Sequence, residues 1–224
     1  MKFILYILVV LGFASAQFNE TAQEAILKAH NDLRSAIAKG EYRISGTLLN
    51  AASNMRKMKW DLSLAEKAQN VTDSCPDNIN TGDGYGENVL ASYVENPGKA
   101  LEIVSFENNS IFMVIVQTLL DVEVWKMQFG MRLEDLLSLN GNIQNYELTK
   151  TTQMAWAEID SIGCGFSNCG QKSSGSKTKV VVACMYKISS SRISQEKPYK
   201  SGETCSSCDP GFTCDTVSGL CAGI

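Results

Sequence analysis

Acid–base or metal chemistry near neutral pH draws first on histidine, and this chain holds one, His30. A serine or cysteine hydrolase needs an imidazole beside its nucleophile. His30 lies beside Ile26, Ala29, Leu33 and Ile37, which recur at spacings of three and four like the core stripe of a helix. It reads either as a catalytic base or as a helix histidine bonding the next layer. The second reading is preferred, since no G-x-S-x-G elbow, H-E-x-x-H helix or phosphate loop accompanies it. The other reactive side chains are eight cysteines, an even number. Cys205-x2-Cys208-x5-Cys214-x6-Cys221 suits zinc in a reducing compartment and two disulfides in an oxidising one. Spacing alone does not give the connectivity.

The compartment is read from the N-terminus. Residues 1–16 place Lys2 before an apolar run from Phe3 to Phe13 and end in Ala14-Ser15-Ala16. That pattern predicts a cleaved secretory signal. The run is too short for a membrane span, which takes about 20 residues. Export makes disulfides the default state of the cysteines. Asn19, Asn70 and Asn108 each begin an N-glycosylation triplet, and Asn70 lies in an expected helix. The net charge of −4 and the lack of a basic patch argue against a nucleic-acid partner. With 224 residues, 44% of them hydrophobic, the chain can bury one good core.

The elements that must position these groups follow from pattern. Thr21 to Lys39 predicts a helix, with Thr21 and Glu24 as a capping box and Gly40 as its stop. Lys57 to Trp60 predicts a short edge strand. Asp61 then caps a helix carrying Leu64, Ala68, Val71 and Cys75 on one face. Asp77 to Gly86 reads as loop. Thr149 to Ala157 predicts a short helix. Ser161–Phe166 and Lys179–Tyr186 predict two antiparallel strands joined by a polar loop, with Cys164 and Cys184 placed to face each other.

Five segments in order carry a family likeness: AHNDLR (29–34), MKWDLSLAEKAQ (58–69), GYGEN (84–88), TQMAW with IGCG (152–165), and VVACMY (181–186). Together they resemble the CAP superfamily of cysteine-rich secretory proteins, venom antigen 5 proteins and plant pathogenesis-related proteins of class 1. The tail resembles that of secreted nematode venom-allergen-like members. The resemblance implies an α+β fold, an α-β-α sandwich with a short antiparallel sheet between helices. It implies a signal peptide over 1–16, a CAP domain over 17–190, and a linker and cysteine-rich tail over 191–224. It also implies the disulfides Cys75–Cys169, Cys164–Cys184, Cys205–Cys214 and Cys208–Cys221. Residues 103–121 exceed the family pattern and read as a natural insertion or as untrimmed gene-model sequence.

Many CAP proteins hold two histidines and two glutamates in a central cleft that binds a divalent metal. Here the first glutamate matches Glu87. The first histidine's place holds Ile79, with Asn80 next, and the second histidine's place holds Lys150. The second glutamate's place falls on Met127 or Gln128, with Glu123 close by. The cleft is therefore expected at Glu87, Lys150 and Gln153, with no metal, no cofactor and no catalytic residue, and with a Glu87–Lys150 ion pair. The resemblance then implies a secreted, non-enzymatic protein that binds a sterol, a fatty acid or an extracellular protein. A lipid groove would draw on Ile26, Leu33 and Ile37, or on Tyr85 and Tyr93. The alternatives are a protease-like hydrolase with a metal or triad site, and a degenerate paralogue without function.

Overall fold

The computed structural model describes residues 18–44, 46–76, 86–94, 150–171, 177–187 and 198–224. The signal segment, Asn108 and residues 103–121 lie outside these, as do Ile79, Asn80, Tyr85, Glu123, Met127 and Gln128. In chain order the elements are α1 (Glu20–Ala38), β1 (Arg43–Ile44), β2 (Thr47–Leu48), β3 (Lys59–Trp60), α2 (Leu62–Asp73), β4 (Gly86–Val94), α3 (Lys150–Ala155), β5 (Ser161–Gln171), β6 (Thr178–Tyr186), β7 (Phe212–Asp215) and β8 (Leu220–Gly223).

Two helix starts show how local chemistry sets the boundaries. Asp61 caps α2 as expected, its side chain accepting from the amides of Ser63 and Leu64. The capping box expected at Thr21 is not the cap of α1. Asn19 takes that place, its Oδ1 accepting from the Ala22 amide at 2.9 Å, so the helix starts one residue earlier. Gly40 follows the C-cap with φ +68°, a conformation that costs glycine little.

The central sheet has the order β3-β5-β6-β4, with β3 parallel to β5 and the other pairs antiparallel. Each residue of β6 is buried, and its side chains alternate between two layers. Val180, Val182, Cys184 and Tyr186 join Ala22 and Ile26 of α1, Met154 of α3, and Trp156. Val181, Ala183 and Met185 join Leu64 and Ala68 of α2 and Val89 of β4. The α-β-α sandwich is thus built on one strand with two apolar faces. Gly86, expected in a loop, opens β4 instead.

Gly163 and Gly165 explain how α2 comes so close. They alternate with Cys164 and Phe166 and face α2. A Cβ on Gly163 would lie 2.1 Å from the Ala65 amide nitrogen, and one on Gly165 2.4 Å from that of Gln69. The helix rests on strand backbone, and Gln69 fastens it there. Its Nε2 donates to the Phe166 carbonyl at 2.8 Å, and its Oε1 accepts from the Phe166 amide at 3.2 Å.

The structure holds four disulfides, Cys75–Cys169, Cys164–Cys184, Cys205–Cys214 and Cys208–Cys221, and no free cysteine. Residues 198–224 pack directly on α1 and on residues 51–57. Tyr199 and Leu220 enter a third apolar cluster with Ile37, Ala38, Ala52, Met55 and Ala155. The Cys221 amide donates to the Met55 carbonyl at 2.8 Å, and the Lys57 amide to the Cys221 carbonyl at 2.9 Å. Arg56 meets Asp209 at 2.6 Å and lies 4.6 Å from the Phe212 ring centroid, while Lys57 meets Asp215 at 2.9 Å. The Lys57 ammonium, helped by the amides of Val217 and Ser218, holds the Asp215 carboxyl well below the usual carboxylate range.

Candidate functional site

Among the described residues, a buried polar network lies between α1 and the sheet. His30 is fully buried. Its Nδ1 lies 2.8 Å from the Ile26 carbonyl oxygen, which can only accept, so Nδ1 carries the proton. Its Nε2 then accepts from the Tyr186 hydroxyl at 2.9 Å. The Tyr186 oxygen in turn accepts from Nδ2 of Asn88 at 3.0 Å. This chain joins α1, β6 and β4 and uses both imidazole nitrogens. Desolvation brings the His30 pKa down to about 4, against the raising effect of the Ile26 hydrogen bond. The same burial pushes the Tyr186 phenol above its ordinary value.

One turn further along α1, the Arg34 guanidinium is fully buried as well. Its Nε donates to the Arg56 carbonyl at 2.8 Å. Nη1 donates to Met154 and Trp156, both at 2.9 Å, and Nη2 to Ala157 at 3.0 Å and Ile159 at 2.9 Å. All five of its donors are used. Burial lowers its pKa to about 9, with Asp160 opposing the shift, so it keeps its charge at pH 7. Asn31 adds a two-way clasp on Met58, donating to its carbonyl and accepting from its amide. These three residues pin the first helix to β6 and to the segments that lead into β3 and β5. Arg34, Asn31, Tyr186 and Asn88 were not among the expected site residues, although each stands in a motif that carries the family likeness.

The expected cleft residues are less closely joined. Glu87 is half-buried and stands opposite Met185 in the β4–β6 register, so it belongs to the face that α2 covers. Asn88, the next residue, belongs to the other face. Gln153 is buried on α3, and its Oε1 has no hydrogen-bond partner. Lys150 opens α3, but its side chain lies outside the described structure, so the Glu87–Lys150 ion pair stays a proposal.

A divalent metal does not fit the residues described. Zinc favours imidazole or thiolate. Both nitrogens of His30 are engaged in the core, and every cysteine is in a disulfide. The sulfurs of Cys205, Cys208 and Cys221 lie within 4.8 Å of one another, yet none is a thiolate. The zinc reading of the tail spacing is thereby replaced by two disulfides.

Residues 27–186 match the model of the CAP, cysteine-rich secretory protein family. The chain belongs to the CAP family. It is 30% identical over 199 residues to "Venom allergen 5" of Lycosa singoriensis, covering 86% of this chain. It spans about half the length of several relatives it matches, 47% of this one. It is 27% identical over 200 residues to "Peptidase inhibitor R3HDML" of Homo sapiens, covering 88% of this chain and 70% of that protein. The solved structure of BmVAL-1 aligns with a TM-score of 0.61 at 22% identity, covering 93% of this chain and 97% of that one, and shows the same fold. Among the described residues, no helix of this CAP protein is long and apolar enough to cross a membrane.

His30 gives this CAP fold a definite acid response. Its folded pKa of about 4 lies below the ordinary 6.5, so the unfolded chain binds the extra proton first as pH falls. The stability contributed by neutral His30 is complete above pH 6.5 and is lost between 6.5 and about 4. A shift of that size corresponds to about 3 kcal/mol. Urea unfolding at pH 7 and at pH 4.5 should show a loss of that order, and His30→Gln should remove the His30 share of it. An unchanged pH dependence in His30→Gln would show that other groups carry the acid response.

Proposed function

We propose that this CAP protein acts outside the cell as a non-enzymatic binding protein, and that its ligand is the surface of another protein. One observation carries the reading. The one imidazole in the chain has both nitrogens bonded inside the core and no exposure. It cannot reach a substrate or take its proton while the fold is intact. The family's members are generally non-enzymatic.

A protein ligand is favoured over a lipid by the packing of α1. Ile26 and Ile37, expected to line a lipid groove, are 3% and 0% exposed and packed into closed clusters. Among the described residues that stripe supports no open groove, since Leu33, half-buried, packs against both clusters as well. The name of the human relative, a peptidase inhibitor, is consistent with recognition of a protein target. Two disulfides and the burial of Tyr199 and Leu220 hold the tail against the domain, which limits the ordering cost of binding through it.

The test uses the full chain. Peptide and ester substrates should show no turnover that saturates, and a fluorescent sterol and a fatty acid should show no saturable binding. Turnover abolished by His30→Ala would sink the non-enzymatic reading, and sterol or fatty-acid binding tighter than micromolar would sink the protein-surface reading. A chain cut near residue 190 is unsuited to the question. It strips Tyr199 and Leu220 from the third cluster and exposes Ile37 and Met55. That truncation should itself lower the midpoint of urea unfolding markedly or prevent folding.

Secretion would also expose the glycosylation triplets to modification. Asn19 uses Oδ1 to cap α1 and leaves its amide nitrogen, the atom a glycan takes, on an exposed residue. Asn70 is exposed on α2, although Thr72 of its triplet is buried. N-glycosidase treatment of the secreted protein should lower its mass, and Asn19→Gln should remove part of that shift. No mass change in the wild type would show the triplets unused.

A further inference from the structure

We infer that the two tail disulfides form an exchange site for external thiols, entered at Cys214 and relayed by Cys205. Three observations carry this. Of the eight cysteines, Cys214 alone is exposed. Its partner Cys205 is partly buried, and the Cys205 sulfur lies within 4.8 Å of both sulfurs of the Cys208–Cys221 bond. Cys214's own sulfur is not in that cluster. Cys164 and Cys184 are 2% and 8% exposed, and Cys75–Cys169, partly buried, has no exposed sulfur and, among the described residues, no third sulfur grouped with it to relay an exchange.

The chemistry is thiol–disulfide exchange, whose rate depends on access to the attacked sulfur and on the leaving thiol. An external small thiol, attacking as its thiolate, forms a bond to the Cys214 sulfur. The Cys205–Cys214 bond breaks, and its electron pair leaves on Cys205. The Cys205 thiolate then attacks the neighbouring bond at the Cys221 sulfur. A Cys205–Cys221 bond forms, and the electron pair leaves on Cys208. The protein ends with one mixed disulfide on Cys214, one new internal disulfide and one thiolate. Two disulfides and one thiolate stand on each side of the reaction, so there is no net oxidation or reduction. Attack at Cys221 is favoured over attack at Cys208 by where the charge ends. Cys208 is partly buried, whereas Cys221 is 0% exposed, and an apolar site disfavours a thiolate. Cys205 also holds φ +63°, outside the regions that non-glycine residues favour, so the native bond is made at some backbone cost.

The consequence reaches the domain. Cys221 is tied to Met55 and Lys57 by main-chain hydrogen bonds, so its new partner re-anchors residue 205 against that segment. Cys208, freed, becomes the thiol that a second exchange would use.

The experiment treats the native protein with limiting glutathione, traps free thiols with an alkylating reagent under denaturing conditions, and maps peptides. The expected result is glutathione on Cys214, alkylation shifted from Cys205 to Cys208, and a Cys205–Cys221 peptide pair. Alkylation on Cys205 with Cys208–Cys221 intact would overturn the relay. First reaction at Cys75–Cys169 would overturn the entry point. Two variants repeat the test without added thiol. Cys214→Ser leaves the Cys205 thiol beside the second disulfide and should yield a bond from Cys205 to Cys221 or Cys208. Cys205→Ser leaves Cys214 alone and should keep Cys208–Cys221. Native Cys208–Cys221 in both variants refutes the proposal.

Discussion

Arg34→Met should leave the protein at the edge of unfolding. The methionine fills the space of the stem but supplies none of the five donors. Five carbonyls, on Arg56, Met154, Trp156, Ala157 and Ile159, would each lose a charged donor in the interior, and of these Trp156 and Ala157 keep the main-chain amides of Ile159 and Arg56. A hydrogen bond to a charged group contributes roughly 1.5–3 kcal/mol, and such bonds do not add simply within one network. A loss of at least about 4 kcal/mol is expected, against a total stability of roughly 5–15 kcal/mol. Arg34→Lys separates charge from geometry. It keeps the cation but offers three donors on a point charge, which cannot span five carbonyls in a plane. It should recover less than half of the loss. Urea unfolding of the purified variants, or secreted yield, measures both effects. A methionine variant within about 1 kcal/mol of wild type would show that the carbonyls find other partners.

Gly165→Val should be nearly as damaging, for a steric reason. The added Cβ would meet Gln69 N at 2.4 Å, Gln69 Cα at 2.5 Å and Ala68 C at 2.7 Å. These are backbone atoms of α2, so no rotamer change relieves the contact. The helix must move away from β5, which breaks the clasp of Gln69 on Phe166 and strains the attachment at Cys75–Cys169. Overpacking of a well-packed core costs roughly 1–3 kcal/mol, and a backbone clash belongs at or above the upper end. Gly170→Ala is the control, because a Cβ there meets nothing within 4 Å and only the φ of +76° opposes it. It should cost about 1–2 kcal/mol. Equal losses at the two positions would place the effect in backbone conformation rather than in helix–strand contact.

Much of the fold is legible in the residues themselves. The spacing of Ile26, Leu33 and Ile37 marks the buried side of α1, and Asp61 marks the start of α2. The β-branched run before Cys184 marks β6, because a strand with two buried faces must be apolar throughout. An even cysteine count points to disulfides, but eight cysteines allow 105 pairings, and only likeness to a family singled out one set.

What the tertiary structure decided concerns polar groups and small residues whose partners lie far along the chain. Asn88 reads as loop or turn by type, since asparagine and glycine disfavour strands, and only its register with Cys184 makes it part of β4. A lone buried arginine carries no sequence mark, because its partners are main-chain carbonyls present at each residue. The tail shows no apolar period, yet Tyr199 and Leu220, 3% and 0% exposed, make it part of the core. Two isolated side chains are too few to signal burial, and their partners on α1 and at Ala52 and Met55 come together only when the chain closes. The state of His30 was decided in the same way. Its type allowed a base or a structural bond, and the choice followed from Tyr186, 156 residues away, whose hydroxyl occupies the nitrogen that catalysis would need.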